Sequence, residues 1–218
     1  PDAPAGTPAG AHSQPAGGPA AVIPGLVPMD FLVPGLPYAG PELHAMARSG
    51  LVVHVIGDLY VEADQGQSGA AGLRLRAAAV HRLAAPVLAG RWAARGLTAA
   101  WVFTGGPALA MLEASVERFH RIPLQPLSVT LRLEQSDAAG QPADIVHLHG
   151  VPCTSVERTV EDLLRRPGDT SRAAAAMTAV RRLLPLTDPV SLRDRFESRR
   201  KRPGMAAARR ALEGLLPA

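Results

Sequence analysis

Cysteine occurs once in the 218 residues, at Cys153. A single thiol excludes an intramolecular disulfide framework and a zinc site built from several thiolates, and it fits a reducing, cytoplasmic setting. Aromatic residues make up 4% of the chain against 47% hydrophobic residues overall, so a core has to be built mainly from Ala, Leu and Val. Lysine is almost missing. Lys201 is the one lysine among 23 basic residues, and Arg, the better fork for carboxylate or phosphate partners, carries the remaining positive charge. No stretch approaches the roughly 20 apolar residues that a membrane-crossing helix needs, and the N-terminus has no basic region ahead of an apolar one. Neither membrane insertion nor secretion is expected.

Signatures of catalysis are equally sparse. Gly105-Gly106 is not followed by the Lys and Ser/Thr of a phosphate loop, and no GxGxxG run follows a strand. Ser115, Ser128 and Ser136 have no nucleophile-elbow context. His147 and His149 lie two apart on an expected strand, without a carboxylate pair at metal-ligand spacing. Cys153 sits at an expected strand-to-helix junction, a position that lowers a thiol pKa but that a small buried residue commonly occupies. The expectation is a chain without enzymatic activity, metal or cofactor.

What is present is unevenly spread. Arg48 is the single base among residues 1–70, against Asp2, Asp30, Glu42, Asp58, Glu62 and Asp64, whereas residues 151–218 carry fourteen bases against eight acids. A polyanion would be drawn to the C-terminal third first. In residues 1–41 ten positions are Pro and seven are Gly, which resist helix and strand interiors. Residues 1–21 read as a disordered Pro/Gly/Ala-rich tail. From Val22 to Val33 apolar residues return, consistent with extended chain packed on a surface. Pro41 starts a short helix over Glu42–Arg48, closed by Gly50. Leu51–Ile56 and Leu59–Glu62 flank Gly57-Asp58 as a hairpin. A helix followed by a hairpin is the second half of a winged helix, so residues 22–64 are expected to form a reduced winged-helix-like segment.

After a polar linker, residues 73–218 read as one mixed α/β domain. A helix is expected over Leu73–Ala85, stopped by Pro86, and a second helical stretch from Trp92 to Val102, with Thr98 as a cap before Trp101. Pro107–Phe119 gives a poor signal, helix or irregular connection. Leu127–Glu134 alternates apolar and polar residues with period two, and Asp144–His149 is expected to pair with or neighbour it. Val151–Arg166 reads as a strand exit, a cap at Thr154 or Ser155 and an amphipathic helix. Val156, Val160, Leu163 and Leu164 fall on its apolar face, and Glu157, Arg158, Glu161, Asp162 and Arg165 on a solvated one, with Arg158 and Asp162 paired across a turn. Thr170 or Ser171 caps an Ala-rich helix ending near Leu184, Asp188-Pro189 starts another, and Met205–Leu216 forms the last. The fold class expected is α/β (α+β), a degenerate winged-helix-like segment followed by a mixed α/β domain with a helical C-terminus.

Three phrases in fixed order, GLVVHVIGDLYVE at 50–62, LTAAWVFTGG at 97–106 and GVPCTSVERTVEDLLRR at 150–166, resemble the AbiEi-like antitoxin and transcriptional-regulator family of bacterial type IV toxin–antitoxin systems, of the actinobacterial type. The resemblance spans about residues 37–212. It implies a DNA-binding N-terminal module that represses its own operon and a C-terminal α/β domain that antagonises a nucleotidyltransferase-like toxin. The sequence departs from that pattern in the hairpin, where the run Val53–Tyr60 contains no Arg or Lys; phosphate neutralisation by bulk charge is therefore absent there.

Basic residues gather instead in Arg193–Arg202. Arg193, Arg195, Arg199, Arg200, Lys201 and Arg202, with Arg48 and His54 of the helix-hairpin segment, are the candidates for contact with DNA or a partner protein. A solvated helix face is the simpler reading of the run, ahead of phosphate contact or docking on an acidic partner, and Leu192 and Phe196 would anchor that helix on the domain. Two readings follow: an antitoxin-like regulator that binds a nucleotidyltransferase-like toxin and operator DNA, or a non-catalytic interaction or scaffold protein without DNA binding.

Overall fold

The structure, a computed structural model, describes residues 29–35, 37–65, 69–88, 91–119, 128–135, 142–166 and 170–216. The N-terminal tail expected over residues 1–21 lies outside them, as does most of the extended segment that follows it. Elements run α1 (Gly40–Arg48), β1 (Val52–Ile56), β2 (Leu59–Glu62), α2 (Gly69–Ala84), β3 (Trp92–Ala94), α3 (Gly96–Thr104), β4 (Met111–Val116), β5 (Thr130–Gln135), β6 (Ile145–Leu148), β7 (Val151–Thr154), α4 (Val156–Arg165), α5 (Thr170–Leu183), α6 (Pro189–Ser198) and α7 (Met205–Glu213). This is a mixed α/β fold with a helical C-terminus, as the sequence implies.

Local chemistry explains the first unit. Pro41 sits in the first turn of α1, and the Glu42 carboxylate accepts from the Ala39 amide at 2.7 Å, where a helix start leaves amides without partners. β1 and β2 form an antiparallel hairpin turning at Gly57, whose φ of 59° a Cβ-bearing residue would resist. Leu32 exchanges both backbone hydrogen bonds with Tyr60 at 2.9 Å, so the chain before α1 runs extended along the outer edge of β2. Met29, Phe31 and Val33 pack on the core there.

The main sheet has the order β5-β4-β3-β7-β6. β4 runs parallel to β5 and antiparallel to β3, β3 runs parallel to β7, and β6 and β7 form an antiparallel pair across the His149-Gly150 turn. β5 and β6, expected to be neighbours, therefore lie on opposite edges. Two other expectations are corrected. Trp92 opens the central strand β3 rather than a helix, and the weak Pro107–Phe119 region contains β4, which crosses the sheet between β3 and β5. Thr98 does not cap α3; it lies inside the helix, and its hydroxyl accepts from the Glu113 amide of β4 at 2.7 Å.

Two hydrophobic layers result. On one side of the sheet, α2 and the hairpin share a core: Val55, Ile56, Leu59 and Val61 pack with Leu75, Ala79, Val80, Trp101, Leu112, Val151 and Cys153. The hairpin is thus fixed to the body of the protein by the same cluster that holds the sheet. On the other side, α3 to α7 bury Ala100, Val160, Leu163, Val180, Leu183, Leu192, Phe196, Met205 and Leu212 together. Phe196 and Leu192 anchor α6, as their spacing predicts, with exposures of 1% and 0%. Replacing Phe196 by Ala is expected to destabilise the protein by about 3–5 kcal/mol, because it opens a cavity in the cluster that α3 to α7 share. Equilibrium urea unfolding measures it, and a loss well under 1 kcal/mol would mean that α6 is not held by this side chain.

Candidate functional site

Where β7 passes into α4, the sequence places charge in the interior. The Ser155 hydroxyl caps α4 by accepting from the Arg158 amide at 3.2 Å, so the cap lies one residue too late for Glu157 to complete a capping box. Thr154 and Thr159 bond through their hydroxyls at 2.7 Å beneath it. This helix is not amphipathic in its surroundings. Arg158, Glu161 and Asp162, expected on a solvated face, are buried along with Val160, Leu163 and Leu164.

Those charges are paired. Arg158 donates through Nη1 to Asp144 at 2.6 Å and through Nε to Asp162 at 3.1 Å, and all three side chains are 2% exposed. Arg195 reaches in from α6 to Asp144 and Glu161, both at 2.8 Å. Arg199 contacts the same two carboxylates at 3.3 Å and 2.9 Å. Arg165 closes on Glu161 at 3.3 Å. From the sheet, Arg95 pairs with Asp162 and with Glu134, and Glu134 also takes Arg166. The nearby Arg172 of α5 binds Glu113, whose other oxygen accepts from the Leu97 amide at 2.9 Å. Six guanidinium groups thus surround Asp144, Glu161, Asp162 and Glu134.

The energetics follow from burial. Removing water from a lone carboxylate is very costly, so Glu161, fully buried, requires cations within reach. Burial by itself would raise the Asp144 carboxyl, but hydrogen bonds and charge from Arg195 and Arg158 outweigh it and hold the group below its ordinary value. Desolvation likewise opposes the charge on Arg158, and Asp162, Asp144 and Glu161 reverse the sign and raise it. Two atoms are served incompletely. Asp162 Oδ2 faces Arg95 at 3.0 Å as an ion pair without a directed hydrogen bond, and Arg165 Nε has no hydrogen-bond partner among the described residues.

The basic run Arg193–Arg202 is consequently divided. Arg195 and Arg199 are not on a solvated face; they are counterions of Asp144 and Glu161. Arg193 is exposed on α6, Arg200 and Lys201 are exposed in the turn after it, and Arg202 is partly buried there, its amide donating to the Arg199 carbonyl at 3.0 Å. Arg48 is exposed in the last turn of α1, where a cation favours the helix dipole. His54 is exposed on β1 but engaged, with Nε2 on the Gly57 carbonyl at 2.7 Å and its ring 5.0 Å from that of Tyr60. The helix-hairpin candidates thus lie on α1 and β1, and the others on α6 and the turn that follows it.

The remaining candidates resolve simply. Cys153 is fully buried on β7, and desolvation pushes its thiol up to about 12. His147 is exposed on β6, whereas His149 occupies the β6–β7 turn with a positive φ of 48°, so the two do not share a strand face. No group of three His, Cys, Asp or Glu side chains among the described residues is placed to hold a metal ion, and no described helix is long and apolar enough to cross a membrane. In comparison with known proteins, the sequence matches no protein-family model and no curated protein.

Two outcomes are expected. A carboxyl held low in the folded state stabilises the fold above the ordinary carboxylate value and ceases to do so as the pH falls through the folded one, so the stability gap between wild type and Asp144→Asn should narrow below about pH 4. Chemical unfolding at stepped pH measures it, and a gap independent of pH would count against the assignment. Cys153 should react with a thiol reagent at neutral pH only at the rate of opening of the fold; rapid modification of the native protein would contradict its burial.

Proposed function

We propose that this chain is an antitoxin-like regulator that acts without catalysis, by docking a nucleotidyltransferase-like partner protein on the cationic turn between α6 and α7. One observation carries this reading: Arg195 and Arg199 fasten α6 to the buried carboxylates, while Arg200 and Lys201 of the adjoining turn remain exposed. A charged surface on a clamped support loses little entropy when a partner of opposite charge binds, and electrostatic complementarity sets encounter rate and specificity. The resemblance of the three sequence phrases to the AbiEi-like family supports the kind of partner.

Operator DNA is the second ligand in this proposal, through the helix-hairpin unit. Its rigid attachment by the Val55–Val61 cluster supports that use. A scaffold role without DNA is favoured by a different observation: β1 and β2 carry no Arg or Lys, and Arg48 is the one base of α1.

The test replaces Arg200 and Lys201 together by Glu and leaves Arg195 and Arg199 intact. The double variant should keep the wild-type melting temperature and bind the product of an adjacent nucleotidyltransferase-like gene about tenfold or more weakly. Unchanged affinity would remove the turn as the docking surface. A salt-dependent mobility shift of the protein's own promoter fragment separates the two readings of the hairpin, since a scaffold would give none.

A further inference from the structure

Lysine and arginine carry the same charge but differ in chemistry. A guanidinium stays protonated and unreactive at neutral pH, whereas the amine of a lysine is a nucleophile once it loses its proton. Lys201 is the one lysine among 23 basic residues, so its Nζ is the one basic side-chain nitrogen open to stable acyl transfer. It stands outside the buried charge network. Lys201 lies in the turn between α6 and α7, is exposed, and makes no hydrogen bond or ion pair through its side chain among the described residues.

The turn holds that amine on a fixed support. The Arg200 amide donates to the Glu197 carbonyl at 3.2 Å, the Arg202 amide to the Arg199 carbonyl at 3.0 Å and the Met205 amide to the Arg202 carbonyl at 3.2 Å. At Gly204, with φ of 84°, the backbone runs so close to the end of α4 that a Cβ would stand 2.6 Å from the Arg165 carbonyl oxygen. Arg195 and Arg199 fasten the helix before the turn, and fully buried Met205 fastens the helix after it. Arg200 is also exposed, with no side-chain partner among the described residues, and the sequence from Ser198 to Leu212 contains no acid. Neighbouring Cα atoms are about 3.8 Å apart, well inside the Debye length of roughly 10 Å at 0.1 M salt. The amine therefore stands in a field that draws anions towards it.

We propose that Lys201 is a site of acylation by an anionic acyl donor, an acyl phosphate, and that the modification weakens partner docking on the α6–α7 turn. The second half rests on the docking reading; the first does not. The Nζ amine attacks the acyl carbonyl carbon and a C–N bond forms. The C–O bond to phosphate breaks, phosphate leaves with the electron pair, and the proton of the amine passes to water. The product is a neutral amide, so of the exposed pair Arg200 and Lys201 only the arginine keeps its charge.

The first test needs no partner. The full chain is incubated with acetyl phosphate at low ionic strength beside Nα-acetyl-lysine as an isolated amine, and fragment mass spectrometry follows Lys201. Acetylation about threefold or more faster than that of the isolated amine is expected, with the lead reduced in Arg200→Gln and lost at about 1 M salt. A rate at or below that of the isolated amine, or a lead indifferent to salt, overturns the acylation site. Lys201→Arg, which keeps the charge and removes the amine, separates the two halves. After removal of the reagent, treated wild type should bind the nucleotidyltransferase-like partner about threefold or more weakly, and treated Lys201→Arg as tightly as the untreated protein. Fast acetylation with unchanged partner binding keeps the site and overturns its effect on docking, while the double variant of Arg200 and Lys201 decides the docking reading by itself.

Discussion

The pairing of Asp144 and Glu161 with arginines from separate parts of the chain is the constraint on which the C-terminal half depends. Asp144 lies just before β6, Glu161 is in the middle of α4, and Arg195 and Arg199 come from α6. Neither carboxylate tolerates burial alone, so the three segments are held in one arrangement. Such clusters add little net stability compared with apolar packing of equal volume. A misplaced α6 would leave fully desolvated carboxylates without counterions, which penalises other placements of that helix.

The same constraint shapes the surface. With Arg195 and Arg199 turned inward, the positive charge available to a partner comes from fewer side chains than the composition implies, and it is displayed from a fixed turn. The hairpin is attached differently, by apolar contacts of Val55, Ile56, Leu59 and Val61 with α2 and β7, and the Ser128 hydroxyl, bonded to Asp58 at 2.5 Å, ties its turn to the approach to β5. The two proposed binding surfaces are thus parts of one scaffold, each positioned by a different kind of contact.

Much of the architecture was legible in the sequence, for identifiable reasons. Pro41, Gly57, Asp188 and Gly204 mark turns and helix ends through backbone restrictions that hold in any fold, and the alternation over Leu127–Glu134 is that of a strand. β3 and β4 were missed because three residues carry no periodicity and because Glu113 and Ser115 interrupt β4 with polar side chains whose burial depends on α3 and α5. The solvated face assigned to α4 failed for a related reason. Period 3.6 separates apolar from charged residues, but it does not reveal that counterions arrive from residues 144, 195 and 199. The density of opposite charges on α4 was the available signal, and it was read as local pairing.

The alanines of the centre have a consequence of their own. Ala93 and Ala94 on β3, Ala99 and Ala100 on α3 and Ala114 on β4 are buried with almost no exposure, so sheet and helix backbones approach as closely as a methyl group allows. A contact surface of this kind has nothing to trim and no room to grow. Substitution there is constrained from the side of size: each added methylene must displace backbone rather than repack a neighbour.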